Sequence, residues 1–444
     1  MKNNLKPSEF NLITDYLDNQ YIIFNTFSGS LIKIGKDLFN EIVDFNNSEN
    51  KKEDLENISN KLFDLGFLIK KEFDEKSFIK LKNRQWRHNP VIYSIAILPN
   101  IDCNFNCKYC FENIEPKYMS EETICNIEKF IENRLKNNLI NNLGVSWYGG
   151  EPLLSKNIIK RLSKTFKKAN NYRATLFTNG FAFDEDFINN IPNYGINLIH
   201  ITLDGPSEIN DKYRYLKNKK NGTYKKIKEN IEKITNKYGN KVYFNIRVNL
   251  DYENQNYYQK LIEEFKEINK NNISFILHKI CKTESGNGSK FCGEISQNDY
   301  ESILSEGRET LTRNGFKDPL DFLPKNIGFH HCFVGLDNGF TINYNGAIHK
   351  CFGDANPSQN IIGYLNSDGE IDYLDEHYYK WVGYDYYDNL QCSNCKLLPI
   401  CMGGCTHQRL GLTPNAPSIC DMEKAIEYVS NIVIQVYELK NSIK

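Results

Sequence analysis

The sequence predicts an α/β protein: a partial barrel of six β/α units, with a small winged-helix-like module before it and a cysteine-rich segment after it. Three observations lead there. From about residue 91, strand-like runs alternate with helical patterns, the signature of a parallel sheet. Residues 1–85 carry instead a hairpin, two amphipathic helices and a short wing. From about residue 325 periodicity weakens and Gly, Asn, Asp and Cys dominate. The expected domains are therefore 1–85, 91–300 and 325–444, in keeping with a length of 444 residues, too long for one ordinary core.

In the first module, Tyr21–Asn25 and Ser30–Ile34 are short β-type runs flanking the turn Thr26-Phe-Ser-Gly29. Leu38, Phe39, Ile42 and Val43 then share one helical face, and Leu55, Ile58, Leu62, Phe63 and Leu65 share another. Gly66 ends the second helix before Phe67-Leu-Ile69, a wing strand. The mixed-sign run at 51–56 reads as a solvated face. A DNA-reading helix would be basic, but residues 52–65 are net acidic, which excludes nucleic acid.

The barrel strands are expected at Tyr93–Leu98, Val145–Tyr148, Ala174–Thr178, Leu198–Leu203, Val242–Val248 and Ile273–Leu277. Helices are expected at 120–138, 156–170, 223–237 and 256–270, and a closing amphipathic helix at 421–438. In such folds chemistry sits at the carboxyl ends of the strands. The loop after the first strand holds Cys103, Cys107 and Cys110, in Cys-x3-Cys-x2-Cys spacing. Three thiolates on one loop leave one iron of an iron–sulfur cubane without a protein ligand. A zinc knuckle completed by a remote ligand is the plainer alternative. The second strand ends in Trp147-Tyr-Gly-Gly-Glu-Pro152, where two glycines allow close backbone approach and Glu151 adds a carboxylate.

The chain has 13 cysteines, 55 basic and 56 acidic residues, and a net charge of −1. That balance favours neither nucleic acid nor an anionic membrane. No apolar stretch is long enough to span a bilayer, and the polar start lacks the core of a signal peptide, so a cytoplasmic address is expected. In a reducing compartment the cysteines read as metal ligands rather than disulfides. Cys125, Cys281 and Cys292, standing apart from the others, read by default as small buried hydrophobes.

Taken together, Cys-x3-Cys-x2-Cys and Gly149-Gly-Glu-Pro152 resemble the radical S-adenosylmethionine (AdoMet, SAM) superfamily, over roughly 91–300 of a partial TIM-type barrel. The resemblance implies that Cys103, Cys107 and Cys110 ligate a [4Fe–4S] cluster whose fourth iron chelates AdoMet. It implies that Gly149, Gly150, Glu151 and Pro152 face the methionine amino group, and that Tyr109 lies near the adenine. Asn179, in Thr178-Asn-Gly180, and Thr202, in Thr202-Leu-Asp-Gly205, would also face the cofactor. Arg214 or Arg247 would pair with its carboxylate, although each alone also fits a surface salt bridge. The implied chemistry is one-electron: a reduced cluster cleaves AdoMet, and the resulting 5′-deoxyadenosyl radical takes hydrogen from substrate. No catalytic residue beyond the cofactor ligands is called for.

Cys332, Cys351, Cys392, Cys395, Cys401, Cys405 and Cys420 resemble the seven-cysteine SPASM domain of peptide-modifying members of that superfamily. The resemblance assigns Cys392, Cys395, Cys401 and Cys420 to auxiliary cluster II, and Cys332, Cys351 and Cys405 to auxiliary cluster I. Structural zinc on Cys392, Cys395, Cys401 and Cys405 is the alternative. Seven ligands leave cluster I one short; either Cys281 or Cys292 completes it, or its open iron binds a substrate thiolate. Residues 1–85 resemble the PqqD-like element to which a leader peptide adds as a strand, with a simple stabilising cap as the alternative. The expectation is thus an oxidoreductase that matures a ribosomally made precursor peptide, forging a thioether from a Cys sulfur to a Cα or Cβ carbon, with electrons from an external flavodoxin or ferredoxin. The alternatives are an anaerobic sulfatase-maturating (formylglycine-generating) enzyme, a carbon–carbon crosslinking cyclase, and a non-enzymatic electron carrier. Sulfatase maturases carry Asp directly after the cysteine equivalent to Cys351; here Phe352 follows.

Overall fold

The computed structural model describes residues 4–45, 53–218, 222–281, 286–291, 293–325, 332–354, 360–412 and 420–442. The chain divides into two compact units. Met1–His88, Asp318–Gly335 and Val382–Lys444 form the first; Asn89–Lys317 and Leu336–Trp381 form the second. The cysteine-rich stretch 325–444 is thus divided between them.

The first unit begins with β1 (Leu5–Pro7), followed by the antiparallel sheet of β2 (Asn11–Asp15), β3 (Gln20–Asn25) and β4 (Leu31–Gly35), with β3 central. Helices α1 (Lys36–Phe45) and α2 (Glu53–Asp64) come next, and β5 (Leu68–Lys70) pairs back on β1. Gly66, at φ +82°, closes α2 in the left-handed conformation that only glycine adopts cheaply, and an added Cβ would lie 2.9 Å from Ser28 Cβ. Successive residues of β3 point to opposite faces, and both faces are buried. Ile22 and Phe24 pack with Leu12, Leu323 and Val433, the last from the C-terminal helix Met422–Ser442. Ile23 packs with Phe39, Ile42, Leu55 and Leu62 of α1 and α2. Each fully buried side chain of this size contributes about 1.5–3 kcal/mol. Phe63 and Leu65, expected on the buried stripe of α2, are instead exposed (37% and 43%). The stripe follows Leu55, Ser59 and Leu62; Phe63, 100° beyond Leu62, leaves it, and Leu65 lies past the end of the helix at Asp64.

The first unit also holds a helix that was not foreseen. α3 (Glu75–Arg87) starts at Asp74, whose carboxylate accepts from Ser77 N at 3.0 Å. It buries Ile79 against Phe10, Leu398 and Met402. At its end Arg87 donates to the carbonyls of Val382 (3.1 Å) and Tyr384 (2.7 Å).

The second unit holds six parallel strands as expected: β6 (Ile92–Ile97), β7 (Asn142–Trp147), β8 (Asn171–Thr178), β9 (Ile196–Thr202), β10 (Tyr243–Leu250) and β11 (Ile273–Lys279), adjacent in chain order. Helices α4 (Glu121–Lys136), α5 (Lys156–Phe166), α6 (Glu185–Asn190), α7 (Ser207–Tyr213), α8 (Tyr224–Tyr238) and α9 (Tyr258–Glu264) lie between successive strands, and α10 (Gln297–Arg313) follows β11. The sheet does not stop at β6. β12 (Gly339–Ile342) pairs parallel with it, and β13 (Ala347–His349), β14 (Ile361–Leu365) and β15 (Ile371–Tyr373) continue antiparallel to complete ten strands. Residues 336–373, expected to lack regular structure, therefore extend the barrel sheet. Strands of three to five residues are too short to display a period.

Candidate active site

The carboxyl ends of β6, β7 and β8 are tied around one loop. Beyond β6, buried Asn100 donates through Nδ2 to Glu151 O (3.1 Å) and Ser155 Oγ (2.7 Å). Asp102 then turns the chain into the cysteines: its carboxylate accepts from Cys103 N (2.8 Å), Tyr118 OH (2.6 Å) and Lys217 Nζ (3.2 Å). Phe105 is buried within the loop, Cys107 is buried, and Cys103 and Cys110 are partly buried. Burial first, then Glu151 for Cys103 and Cys107 for Cys110, push the thiols of Cys103 and Cys110 up, the latter to about 12. Burial also raises Cys107, against the opposing pull of Arg214. A nearby cation would favour the thiolate form of thiols buried in this way.

The Gly-Gly-Glu-Pro segment lies directly on this loop. A Cβ at Gly149, whose φ is +107°, would sit 2.3 Å from Asn100 O; one at Gly150 would sit 2.2 Å from Asp102 O. Glu151 N donates to Asp102 O at 2.7 Å. The Glu151 carboxylate is fully buried and accepts from Leu153 N (3.0 Å), Thr178 Oγ1 (2.7 Å) and Asn179 N (2.7 Å). Burial pushes it upward while those donors pull it down. It caps the turn Pro152–Ser155 and fastens β8 to β7. Asn179 reaches back to the cysteine loop, its Nδ2 lying 2.7 Å from Asn104 Oδ1.

Behind Cys107 is a buried polar knot. Tyr109 OH donates to Asp204, and accepts from Arg214 Nη1 (2.8 Å) and Asn249 Nδ2 (3.1 Å). Asn249 N donates to Asp204 Oδ1 (3.1 Å). Arg214 is only 8% exposed, and its Nε has no hydrogen-bond partner among the described residues. Burial pushes Asp204 up to about 6, with Arg214 opposing. The surface salt-bridge reading therefore does not hold for Arg214. Nor does it hold for Arg247, which makes no ion pair among the described residues: its Nε donates to Asn249 Oδ1 (2.7 Å). Its charge is felt at His200, His278 and Tyr148, not among the causes acting on the three cysteines. Thr202 stands beside it in the sheet register. So Tyr109, Asn179, Arg214 and Gly149–Pro152 gather at the cysteine loop, whereas Thr202 and Arg247 lie on the half-open sheet face. Sequence reasoning missed Asn100 and Asn249; the available signal was a polar residue at or just past the end of a strand.

In the first unit, Cys392, Cys395, Cys401 and Cys420 line one pocket together with Arg409. Asn389 caps the approach by accepting from Gln391 N (2.9 Å) and Cys392 N (3.3 Å), and Cys395 Sγ accepts from Leu397 N (3.4 Å). Met402 and Gly403, at φ +46° and +81°, turn the chain away after Cys401. Burial and then mutual repulsion push Cys401 up to about 11. Cys405, the fourth member of the zinc alternative, is exposed and outside this pocket. Cys332 and Cys405 belong to the first unit and Cys351 to the second, where Cys351 Sγ accepts from Gly353 N (3.3 Å). Among the described residues, no three His, Cys, Asp or Glu side chains are set for a single metal ion. Two isolated cysteines depart from the buried-hydrophobe default: Cys281 is exposed, and Cys125, half-buried on α4, lies 3.3 Å from Arg161 Nη2. Cys292 falls outside the described residues. Among those residues, no helix is long and apolar enough to cross a membrane.

Residues 97–265 match the family model described as Radical SAM superfamily. The chain is 28% identical over 351 residues to a cysteine-type anaerobic sulfatase-maturating enzyme of Clostridium novyi, covering 73% of this chain and 90% of that one. It is 24% identical over 448 residues to the radical SAM cyclopropyl synthase TigE of Paramaledivibacter caminithermalis, covering 87% and 86%. Its fold is similar to that of Streptococcus suis SuiB bound to its precursor peptide SuiA, with a TM-score of 0.53 at 16% identity over 94% of this chain and 100% of that one.

Proposed function

We propose that this chain is a radical AdoMet enzyme that modifies a ribosomally made peptide. In this reading Cys103, Cys107 and Cys110 hold a [4Fe–4S] cluster and AdoMet binds beside it. The observation that carries it is a strand-end loop bearing three buried or half-buried thiols, with a glycine pair pressed onto that loop and a buried guanidinium whose Nε–H has no partner among the described residues. Arg214 is the better candidate of the two arginines for the AdoMet carboxylate, because its charge acts on Cys107. Gly149 and Gly150 would present backbone to the methionine, while Glu151 and Pro152 brace that backbone. Tyr109 and Asn179 would border the cofactor, and Thr202 would face it from β9. When bound, the cluster and AdoMet supply one-electron hydrogen abstraction. The protein's part is to orient both and to exclude water.

Cys392, Cys395, Cys401 and Cys420 would hold auxiliary cluster II, supported by their common pocket. Cys332, Cys351 and Cys405 would hold auxiliary cluster I, with an iron open to a substrate thiolate. The PqqD-like reading of 1–85, the barrel at 91–300 and the SPASM reading of 325–444 complete the proposal. The leader would add to β4, an outer strand of its sheet. SuiB, a fold neighbour, is described as bound to a precursor peptide.

The product would be a thioether. The sulfatase-maturase alternative draws on the Clostridium novyi relative. Against it stands Phe352, whose ring lies 4.6 Å from that of Tyr148 and 5.9 Å from that of Phe177, an aromatic cluster where that group carries a carboxylate. The test is anaerobic: reconstituted, reduced protein with a flavodoxin or ferredoxin donor should convert AdoMet to 5′-deoxyadenosine. Absence of cleavage under those conditions would defeat the proposal.

A further inference from the structure

We propose that Arg247 anchors a carboxylate carried by the substrate peptide near the residue that is modified. The inference rests on the peptide-modifying reading above and adds a feature of the substrate to it.

Arg247 stands on β10, in register with Thr202 of β9 and Ile276 of β11. On this face of the sheet Phe177, His200 and Asn245 are partly exposed, whereas the alternating residues Ile199, Ile201, Phe244 and Ile246 are buried. The hydrogen bond from Nε to Asn249 Oδ1 fixes the direction of the guanidinium. Its other N–H groups meet no acceptor among the described residues. A planar fork held at one corner, with two parallel donors left over, suits a carboxylate bidentately.

The surroundings sharpen the case. His200 stacks on Phe177 at 4.4 Å with the rings 3° apart, and Phe177 lies beside Tyr148 and Phe352. Burial first, and Arg247 second, lower both His200, to about 4, and His278. Asp204 and Cys107 answer to Arg214 rather than to Arg247. Glu112 acts on Tyr148, and burial alone accounts for its own upward shift. Arg247 is therefore an exposed cation that makes no ion pair among the described residues, and it stands close enough to the aromatic wall for its charge to act on Tyr148. The AdoMet carboxylate has its own guanidinium in Arg214, so the carboxylate at Arg247 must come with the substrate. An Asp or Glu side chain and a chain-terminal carboxylate offer the same chemistry.

The test uses the full-length, reconstituted protein with AdoMet, anaerobically. Three fluorescein-labelled probes are compared by anisotropy: Gly-Cys-Gly-Asp-Gly amide, its Asn twin as the amide, and the Asn twin with a free terminal carboxylate. The Asp amide should bind about tenfold more tightly than the Asn amide, and if the anchor takes a chain terminus the acid-terminated twin gains instead. Arg247→Gln should abolish the preference and Arg247→Lys should retain part of it, with AdoMet affinity by equilibrium dialysis changed less than about twofold in both. Equal binding of all three probes overturns the anchor, as does loss of AdoMet binding in Arg247→Lys, which would return Arg247 to the cofactor. Formation of 5′-deoxyadenosine alongside equal probe binding would refute the anchor while leaving the proposed function standing.

Discussion

Adding one methyl group at Gly150 tests whether the glycine pair shapes the cysteine loop. The new Cβ would lie 2.2 Å from Asp102 O and 2.6 Å from Asp102 C, both backbone atoms that cannot swing aside. Ordinary contact begins near 3.4 Å, so the chain beside Cys103 must retreat by about 1 Å, lengthening the 2.7 Å bond from Glu151 N to Asp102 O. Overpacking of this kind costs about 1–3 kcal/mol. The unfolding midpoint should then drop by about 2–5 °C, and a displacement near 1 Å should lower turnover by about a hundredfold. Gly144→Ala is the control, because its Cβ would meet nothing nearer than Ser94 Oγ at 3.6 Å. The assays are iron content, thermal unfolding and 5′-deoxyadenosine yield. If Gly150→Ala matched Gly144→Ala in all three, the steric argument would fail.

Further outcomes follow from other sites. Cys392→Ala and Cys420→Ala should each remove one cluster's worth of iron, whereas Cys125→Ala, outside the four-thiol pocket, should remove none. Iron titration checks this. Arg214→Gln removes the 2.8 Å hydrogen bond to Tyr109 OH inside a buried polar knot, which should cost about 1–3 kcal/mol of stability, read by denaturant unfolding, and weaken AdoMet binding. His200, at about 4 in the folded chain against 6.5 when free, is held neutral, so the unfolded state binds more protons between those values and stability falls as pH drops through that window. Between pH 7 and pH 5 the wild type should lose about 2 kcal/mol more than His200→Gln, measured by denaturant unfolding at both pH values.

The six barrel strands were legible because each is a run of apolar and β-branched residues followed by a helix period. The cysteine loop was legible because spacing is a property of sequence. What the sequence could not display was any partner distant along the chain. Arg214 looked like a surface residue because nothing local reveals that Tyr109 and Asp204 enclose it. Glu151 carried a motif reading, but its three donors come from Leu153, Thr178 and Asn179, two of them on the next strand end. The four strands after residue 338 are short, and the first of them, β12, is held by pairing to β6, which lies about two hundred and forty residues earlier. Helix α3 has a sound cap at Asp74, but its positively charged, mixed sequence lacks a clean apolar stripe.

The core that joins Leu12, Ile22 and Phe24 to Val429, Ile432 and Val433 has a consequence for biosynthesis. The N-terminal sheet emerges early from the ribosome, but one of its apolar faces has no cover until the helix Met422–Ser442 has been made. At about 5–20 residues per second the wait is tens of seconds. The second unit can complete its parallel strands during that interval, whereas the pocket of Cys392, Cys395, Cys401 and Cys420 closes only with the returning chain. The auxiliary cluster proposed for that pocket would be loaded only after residues 391–422 have been made. A chaperone or cluster-delivery protein acting on this chain would find its target in that late, half-covered state.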